Sequence, residues 1–306
     1  MYSKNELLIF SILNTLEQLI NPNLIYKLFK FSLNQNINIF WLSKEKLKEF
    51  LEYTHSFTEE QKEKILKIFE HTFISEIKIQ AELIYKTCTE NSISLLFYAH
   101  ENYPKSLLNI KRPPYVLYIK GNFNLKNFNV LALVGTRNIS EMGINFTENF
   151  SKNLQKNNYF NISGLALGVD SLGHKNTLGA TGAILAQGLM TEIYPKENKN
   201  LAYEIIKNNG FLLSELPPYI NISVNNLINR NRIQVGLADI IVIAETGIKG
   251  GTVHTFKFAR EQKKKIFIAD FNKNFIEKYR KEVIIIKNFD EFIKKSSIQL
   301  NQGKLF

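Results

Sequence analysis

The sequence predicts an α/β fold, a doubly wound and mostly parallel sheet preceded by a small all-helical domain. Three observations carry that reading. From residue 129 onward, short apolar runs alternate with segments of helical period. Those runs show no clear polar alternation, as expected of strands buried on both faces. Residues 4–88, in contrast, carry apolar residues at three- and four-residue spacing. A length of 306 residues suits two domains, placed here at 1–90 and 91–306 with the α/β core at 129–270.

Helices are predicted over Glu6–Ile20, Pro22–Ser32, Ser43–Leu51, Thr58–Phe69 and Ile74–Thr87. Ser43 and Thr58 stand where N-caps are expected, ahead of Glu- or Lys-rich first turns. The stretch 92–121 holds an apolar run at Ile93–Tyr98, then Tyr103-Pro104 and Pro113-Pro114. Prolines cannot sit in a central strand, so this stretch reads as a connector feeding a short edge strand at Tyr115–Ile119. Strands follow at Val130–Val134, Phe160–Ser163, Ala183–Ala186, Phe211–Ser214, Asp239–Ala244 and Lys265–Ala269. Between them lie helices over Ser140–Lys156, Val169–Leu178, Asn200–Asn208, Asn225–Leu237 and Thr252–Gln262. That rhythm argues for right-handed βαβ crossovers. A last pair, Val283–Ile286 and Phe289–Ser296, completes the pattern.

Composition excludes several classes. The single cysteine, Cys88, rules out a disulfide framework. No clustered histidines suit zinc, no acidic cluster suits magnesium, and no nucleophile elbow is present. The apolar stretch Leu7–Leu13 lacks the basic lead-in and cleavage site of a secretion signal, and no run reaches the roughly 18–20 residues of a membrane span. A cytoplasmic protein without a membrane partner is expected. The net charge is +11, but unevenly spread: residues 1–100 sum to −1, residues 101–255 to +5 and residues 256–306 to +7. A coding bias toward Lys, Asn, Ile and Phe accounts for that surplus as well as nucleic-acid binding does. Arginine is more telling. Only six occur, and Arg112, Arg137, Arg230 and Arg232 all fall in the central region, where a planar forked donor is wanted.

Ligands of open parallel sheets bind beyond the carboxyl ends of strands, which directs attention to four segments. In Val134-Gly135-Thr136-Arg137-Asn138-Ile139-Ser140, Gly135 permits a tight turn and Arg137 projects a bidentate donor. Ser140 is an N-cap that leaves the next amides open to an anion. The plainer alternative is an ordinary turn with an exposed arginine. The spacing matches neither G-x-G-x-x-G nor a P-loop. In Ser163-Gly164-Leu165-Ala166-Leu167-Gly168-Val169-Asp170, two glycines suit close backbone approach and Asp170 can cap the following helix. Asp170 and His174 share a helical face, compatible with acid–base work but better explained as buried structural hydrogen bonding. In Asn229-Arg230-Asn231-Arg232 the two arginines point to different faces, so that one reaches the crevice while the other anchors structure or a partner. Finally, Lys249-Gly250-Gly251-Thr252 opens a helix with a second phosphate-friendly N-terminus.

In order, several stretches resemble the DNA-processing protein A family (DprA/Smf). They are Tyr103–Leu108, Pro114–Gly121, Val134–Arg137, Ser163–Ala166 through Asp170 and His174, Tyr194-Pro195, Ser214-Glu215, Arg230–Ile233, and Gly250–Thr252 with Thr255 and Ala259. The resemblance covers about residues 93–270. It implies an extended Rossmann-type domain that binds single-stranded DNA, forms a homodimer and helps load a RecA-type recombinase during natural transformation. It further implies a non-enzymatic protein with a small helical (SAM or helix-hairpin-like) domain at 1–90. Arg137 inherits a role facing DNA phosphates, and Arg230 and Arg232 lie beside the same pocket. The expected DNA-binding residues are therefore Gly135, Thr136, Arg137, Ser140, Ser163, Gly164, Arg230, Arg232, Gly250, Gly251 and Thr252, with no catalytic residue, metal or cofactor.

The departures are specific. Leu227 stands where the family usually has a phenylalanine, so a stacking contact is absent or supplied by another ring. Gly250-Gly251-Thr252 replaces Ser-Gly-Ser, Ala269-Asp270 replaces Pro-Gly, and Leu167 occupies a position that is basic in some members. Only 36 residues follow Asp270, too few for the winged helix many members carry. A divergent member with weaker DNA affinity is expected. The competing readings are a nucleotide phosphoribohydrolase and a nucleotide-sensing module of the same fold. The former needs a proline, a third glycine and a downstream glutamate that this loop lacks.

Overall fold

A computed structural model describes residues 2–15, 22–53, 56–98 and 100–302. Five helices come first: α1 (Lys4–Leu13), α2 (Pro22–Asn34), α3 (Lys44–Glu52), α4 (Glu59–Ile68) and α5 (His71–Glu90). Ser3 and Glu6 form a capping box on α1, and Thr58 and Gln61 form another on α4. Ser43 caps α3 by accepting from the Lys46 amide. Helix α1 stops at Leu13, with the Asn14 amide closing on Phe10 O. The expected continuation over 16–20 lies outside the described residues. Every residue from Glu6 to Leu13 is buried, because α1 is wrapped by its neighbours and by the sheet. Phe10 stacks on Tyr115 at 5.2 Å, and the Ser11 and Tyr118 hydroxyls hydrogen-bond at 3.1 Å. One apolar cluster thus runs from the helices into the sheet.

The α/β part contains β1 (Ser94–Phe97), α6 (Lys105–Leu108), β2 (Val116–Gly121), β3 (Asn129–Val134), α7 (Glu141–Ser151), β4 (Tyr159–Ser163), α8 (Val169–Asn176), β5 (Thr181–Ile184), α9 (Lys199–Lys207) and β6 (Phe211–Ser214). It continues with α10 (Val224–Leu237), β7 (Ile240–Ile243), α11 (Gly251–Glu261), β8 (Lys265–Ala269), α12 (Lys273–Tyr279), β9 (Ile284–Ile286) and α13 (Phe289–Gln302). The nine strands form one sheet in the order β1-β2-β6-β5-β4-β3-β7-β8-β9. Pairing is parallel from β6 through β9, while β2 runs antiparallel to both β1 and β6.

Two expectations are corrected here. Tyr115–Ile119 is not at the edge: β2 is the second strand, and the run Ile93–Tyr98, read as connector, supplies the edge strand β1. Pro113 and Pro114 precede β2, so their missing N–H groups fall outside the ladder. The helix expected over Ser140–Lys156 ends at Ser151, whose hydroxyl donates to Thr147 O. The polar stretch after it turns back at Asn158, which has a left-handed φ of 59°.

Successive strand residues enter opposite clusters. Ala132, Val134, Ile241, Ile243, Ile266 and Ile268 meet α10, α11 and α12 on one face. Leu131, Leu133, Val242 and Phe267 meet α7, α8 and α13 on the other. This two-sided burial is why the strands read as unbroken apolar runs. The connections from β3 to β6 move one way along the sheet, and β7 returns to the far side of β3. The carboxyl ends of β3 and β7 therefore flank a topological switch point, the crevice where ligands of such sheets bind.

Candidate functional site

A cleft of about 550 Å³ opens at that switch point. Its walls are the loops after β3 (Gly135–Asn138) and β7 (Thr246–Gly251), the turn before α8, and one face of α10 from Val224 to Gln234. The loops are fastened to one another. The Thr136 amide donates to Glu245 O at 2.8 Å, and the Thr246 amide donates to Asn272 Oδ1 at 2.8 Å. Asn272 in turn donates to Ala244 O and Ala269 O, so it ties the ends of β7 and β8 together. The cleft's geometry is thus set by rigid strand ends.

Arg137 is exposed at the mouth and makes no hydrogen bond or ion pair among the described residues. Arg230 is 6% exposed and reaches the floor from α10. Its Nη1 donates to Ile184 O at 2.6 Å, whereas its Nε has no partner. Burial lowers the Arg230 pKa to about 10, which leaves the guanidinium charged at neutral pH. Gly164 is a glycine because this guanidinium lies against its Cα, where a Cβ would collide with it. Lys249 adds a third cation, and the lining holds a single carboxylate, Asp170. That carboxyl accepts from the Gly164 amide at 2.9 Å and the Ala166 amide at 3.4 Å. Burial outweighs the neighbouring Arg230 and pushes its pKa above the usual carboxylate value.

At the far wall, α11 begins on Gly250 with a φ of 111°, which a glycine adopts without strain. No side chain caps this helix, and the space beside Gly250 and Gly251 is open. The first amides of α11, its dipole and the Thr252 hydroxyl thus face the cleft, the arrangement that holds a phosphate or carboxylate.

Several expected residues stand elsewhere. Ser140 caps α7 by accepting from the Gly143 amide, but the α7 N-terminus is not open to a ligand. Its own Glu245 carboxylate occupies it, accepting from the Ser140 amide at 2.8 Å. Ser163 is fully buried and donates to Leu133 O at 2.8 Å. Gly164 offers no amide, since Asp170 takes it. Arg232 points away from the cleft: both its Nη atoms lie 2.6 Å from the two Glu215 oxygens, and Arg112 O accepts from its Nε and Nη2. The cap of α8 is Gly168, not Asp170. His174 pairs with Thr181 Oγ1 at 2.7 Å instead of Asp170. Gly135, Thr136, Arg137, Arg230, Gly250, Gly251 and Thr252 line the cleft together.

Sequence reasoning did not single out Lys249, His254, Asn231 or Gln234 as lining residues. Gln234 lies one turn beyond Arg230, a spacing that makes it visible once Arg230 is known to face inward. A smaller side pocket joins the cleft, lined by Arg137, Gly164, Leu167, Tyr194, Leu227 and Arg230. The Tyr194 ring forms one of its walls and is 41% exposed.

The switch-point cleft defines a Rossmann-type α/β protein with a crevice lined by cations. The chain belongs to the DNA recombination-mediator protein A family, whose model matches residues 94–288. It is 35% identical over 173 residues to protein Smf of Synechocystis, covering 54% of this chain and 43% of that one. It is 32% identical over 182 residues to DNA processing protein DprA of Bacillus subtilis, covering 58% and 61%. The chain thus spans about half the length of the curated relatives it matches. Among solved structures it resembles DNA processing protein A of Helicobacter pylori, for which a single-stranded DNA binding mode is described. That likeness has a TM-score of 0.61 at 27% identity and covers 68% of this chain and 96% of the other. The fold of Streptococcus pneumoniae DprA matches at a TM-score of 0.72 and 22% identity, over 96% and 98% of the two chains. No helix among the described residues is long and apolar enough to cross a membrane.

Proposed function

We propose that this chain binds single-stranded DNA in the switch-point cleft, as a cytoplasmic, non-enzymatic mediator that serves recombination of incoming DNA. The observation that carries the reading is the convergence of Arg137, Arg230, Lys249 and the uncapped α11 N-terminus on one cleft. Phosphates would meet Arg137 and the α11 amides. The base of the same nucleotide would enter the side pocket against Tyr194, which supplies the ring that Leu227 does not. Backbone contacts of this kind position a strand without reading its sequence. The named ligand of the Helicobacter relative supports this choice among polyanions. Family membership supports a homodimer that passes the strand to a RecA-type recombinase.

The phosphoribohydrolase reading is less well supported, because both carboxylates near the cleft are committed. Asp170 holds backbone amides, and Glu245 holds the α7 N-terminus. Competition experiments separate the readings. Fluorescent oligo-dT bound by the chain should be displaced by unlabelled oligo-dT far better than by duplex or by nucleoside monophosphates. Release of free base from a nucleoside monophosphate, or tight mononucleotide binding without DNA binding, would contradict the proposal.

A further inference from the structure

The helical unit carries a second basic groove that the cleft does not include. It measures about 530 Å³ and lies between α2 and the loop before β2. Its lining includes Lys27, Lys30, Lys111 and Arg112 with the rings of Tyr26 and Phe31, and contains no carboxylate. Tyr26, Lys27, Lys30 and Phe31 share one face of α2 through three- and four-residue spacing. The charge of −1 over residues 1–100 hides this groove. Ten of the twelve acids there fall between Glu45 and Glu90, and none lies between Glu17 and Glu45. Lys30 and Lys111 pair with no carboxylate among the described residues. Lys27 is held over the Phe57 ring, 4.7 Å from its centroid, and donates to Ser56 O.

The groove is tied to the cleft by direct bonds. Arg112 Nη2 donates to Asn229 Oδ1 at 3.1 Å, and Asn229 lies between Ile228 and Arg230, both of which line the cleft. From the other side, Arg232 on α10 donates to Arg112 O at 2.9 and 3.2 Å. A cationic path therefore leaves the cleft over Asn229 and continues past Arg112 and Lys111 to α2.

We propose that this groove is a second phosphate-backbone site, which takes the continuation of the strand held in the cleft. The inference rests on the single-strand reading above. Alternating cations and half-buried rings suit a flexible chain of phosphates and planar bases. A strand too short to leave the cleft would not touch the groove; a longer one would.

The test compares an oligo-dT of about 6 nucleotides with one of about 30. The substitutions Lys27→Gln, Lys30→Gln and Lys111→Gln are combined. The short oligomer should bind this variant as it binds the wild type. The long one should bind about tenfold more weakly, with a log–log salt slope lower by about 2, at about 0.7 per lost contact. As a readout independent of any variant, the long oligomer should shield Lys30 and Lys111 of the wild type from acetylation, and the short one should not. Equal affinity of variant and wild type for the long oligomer, or no shielding, would overturn the second site while leaving the cleft intact. Failure of the wild type to bind either oligomer would instead remove the reading on which the site rests.

Discussion

Replacing Arg232 with alanine separates the two arginines of the Arg-Asn-Arg segment. The Arg232 side chain is 5% exposed and that of Glu215 is 11% exposed. The fork closes on both Glu215 oxygens at 2.6 Å, and Arg112 O and Asn229 O accept its remaining protons. Alanine would leave the Glu215 carboxylate buried without its cation and remove both donors that Arg232 presents to Arg112 O. Breaking a buried pair from one side costs about 3–5 kcal/mol, a large part of the roughly 5–15 kcal/mol that stabilises a folded domain. With a urea dependence of about 2 kcal/mol per molar, the unfolding midpoint should fall by about 2 M. Arg232→Met combined with Glu215→Leu should recover most of that loss, because an apolar pair of similar volume leaves no charge unpaired. In dilute buffer the folded variant should bind oligo-dT within about twofold of wild type, an energy difference under roughly 0.5 kcal/mol. A normal midpoint together with lost DNA binding would refute the argument and return Arg232 to the binding surface.

Gly164→Ala should displace the Arg230 guanidinium from Ile184 O and weaken oligo-dT binding more than it lowers the melting temperature; unchanged affinity would show that Arg230 contributes nothing to the cleft. Tyr194→Ala should lose about 1–3 kcal/mol of oligo-dT affinity, and Tyr194→Phe should retain it; equal losses would argue against a stacking role. Burial lowers the His174 pKa to about 3, against a usual value near 6.5. The unfolded chain therefore takes up a proton that the folded chain refuses. The contribution of His174 to stability is thus complete above about pH 6.5 and is lost progressively as the pH falls from there toward about 3. Comparing urea midpoints at several pH values, His174→Asn should have a shallower pH dependence than wild type; parallel profiles would contradict the assignment.

The sheet was legible because strands such as Val130–Val134 and Lys265–Ala269 are buried on both faces and read as unbroken apolar runs. Partner choice was not. Nothing in Tyr115–Ile119 reveals that Ser94–Phe97 covers its outer edge, since pairing depends on residues far along the chain. The same limit applies in the site. Ser140 announced itself as a cap, but its occupant, Glu245, lies 105 residues away, and local sequence cannot show that an internal carboxylate fills the α7 N-terminus. The spacing of Arg230 and Arg232 showed that they face different ways, but which one faces inward depended on Gly164 and Glu215. Gly250 and Gly251 were readable because the need for open backbone at a helix start is local.

The central claim is that Arg137 and the cleft around it hold the phosphates of a single strand. The most direct measurement is the affinity of wild type and Arg137→Ala for oligo-dT across a salt series. Wild-type binding should weaken steeply with salt, and the variant should bind more weakly with a slope lower by about 0.7, the counterions of one phosphate contact. Identical affinities and slopes for the two proteins would contradict the account.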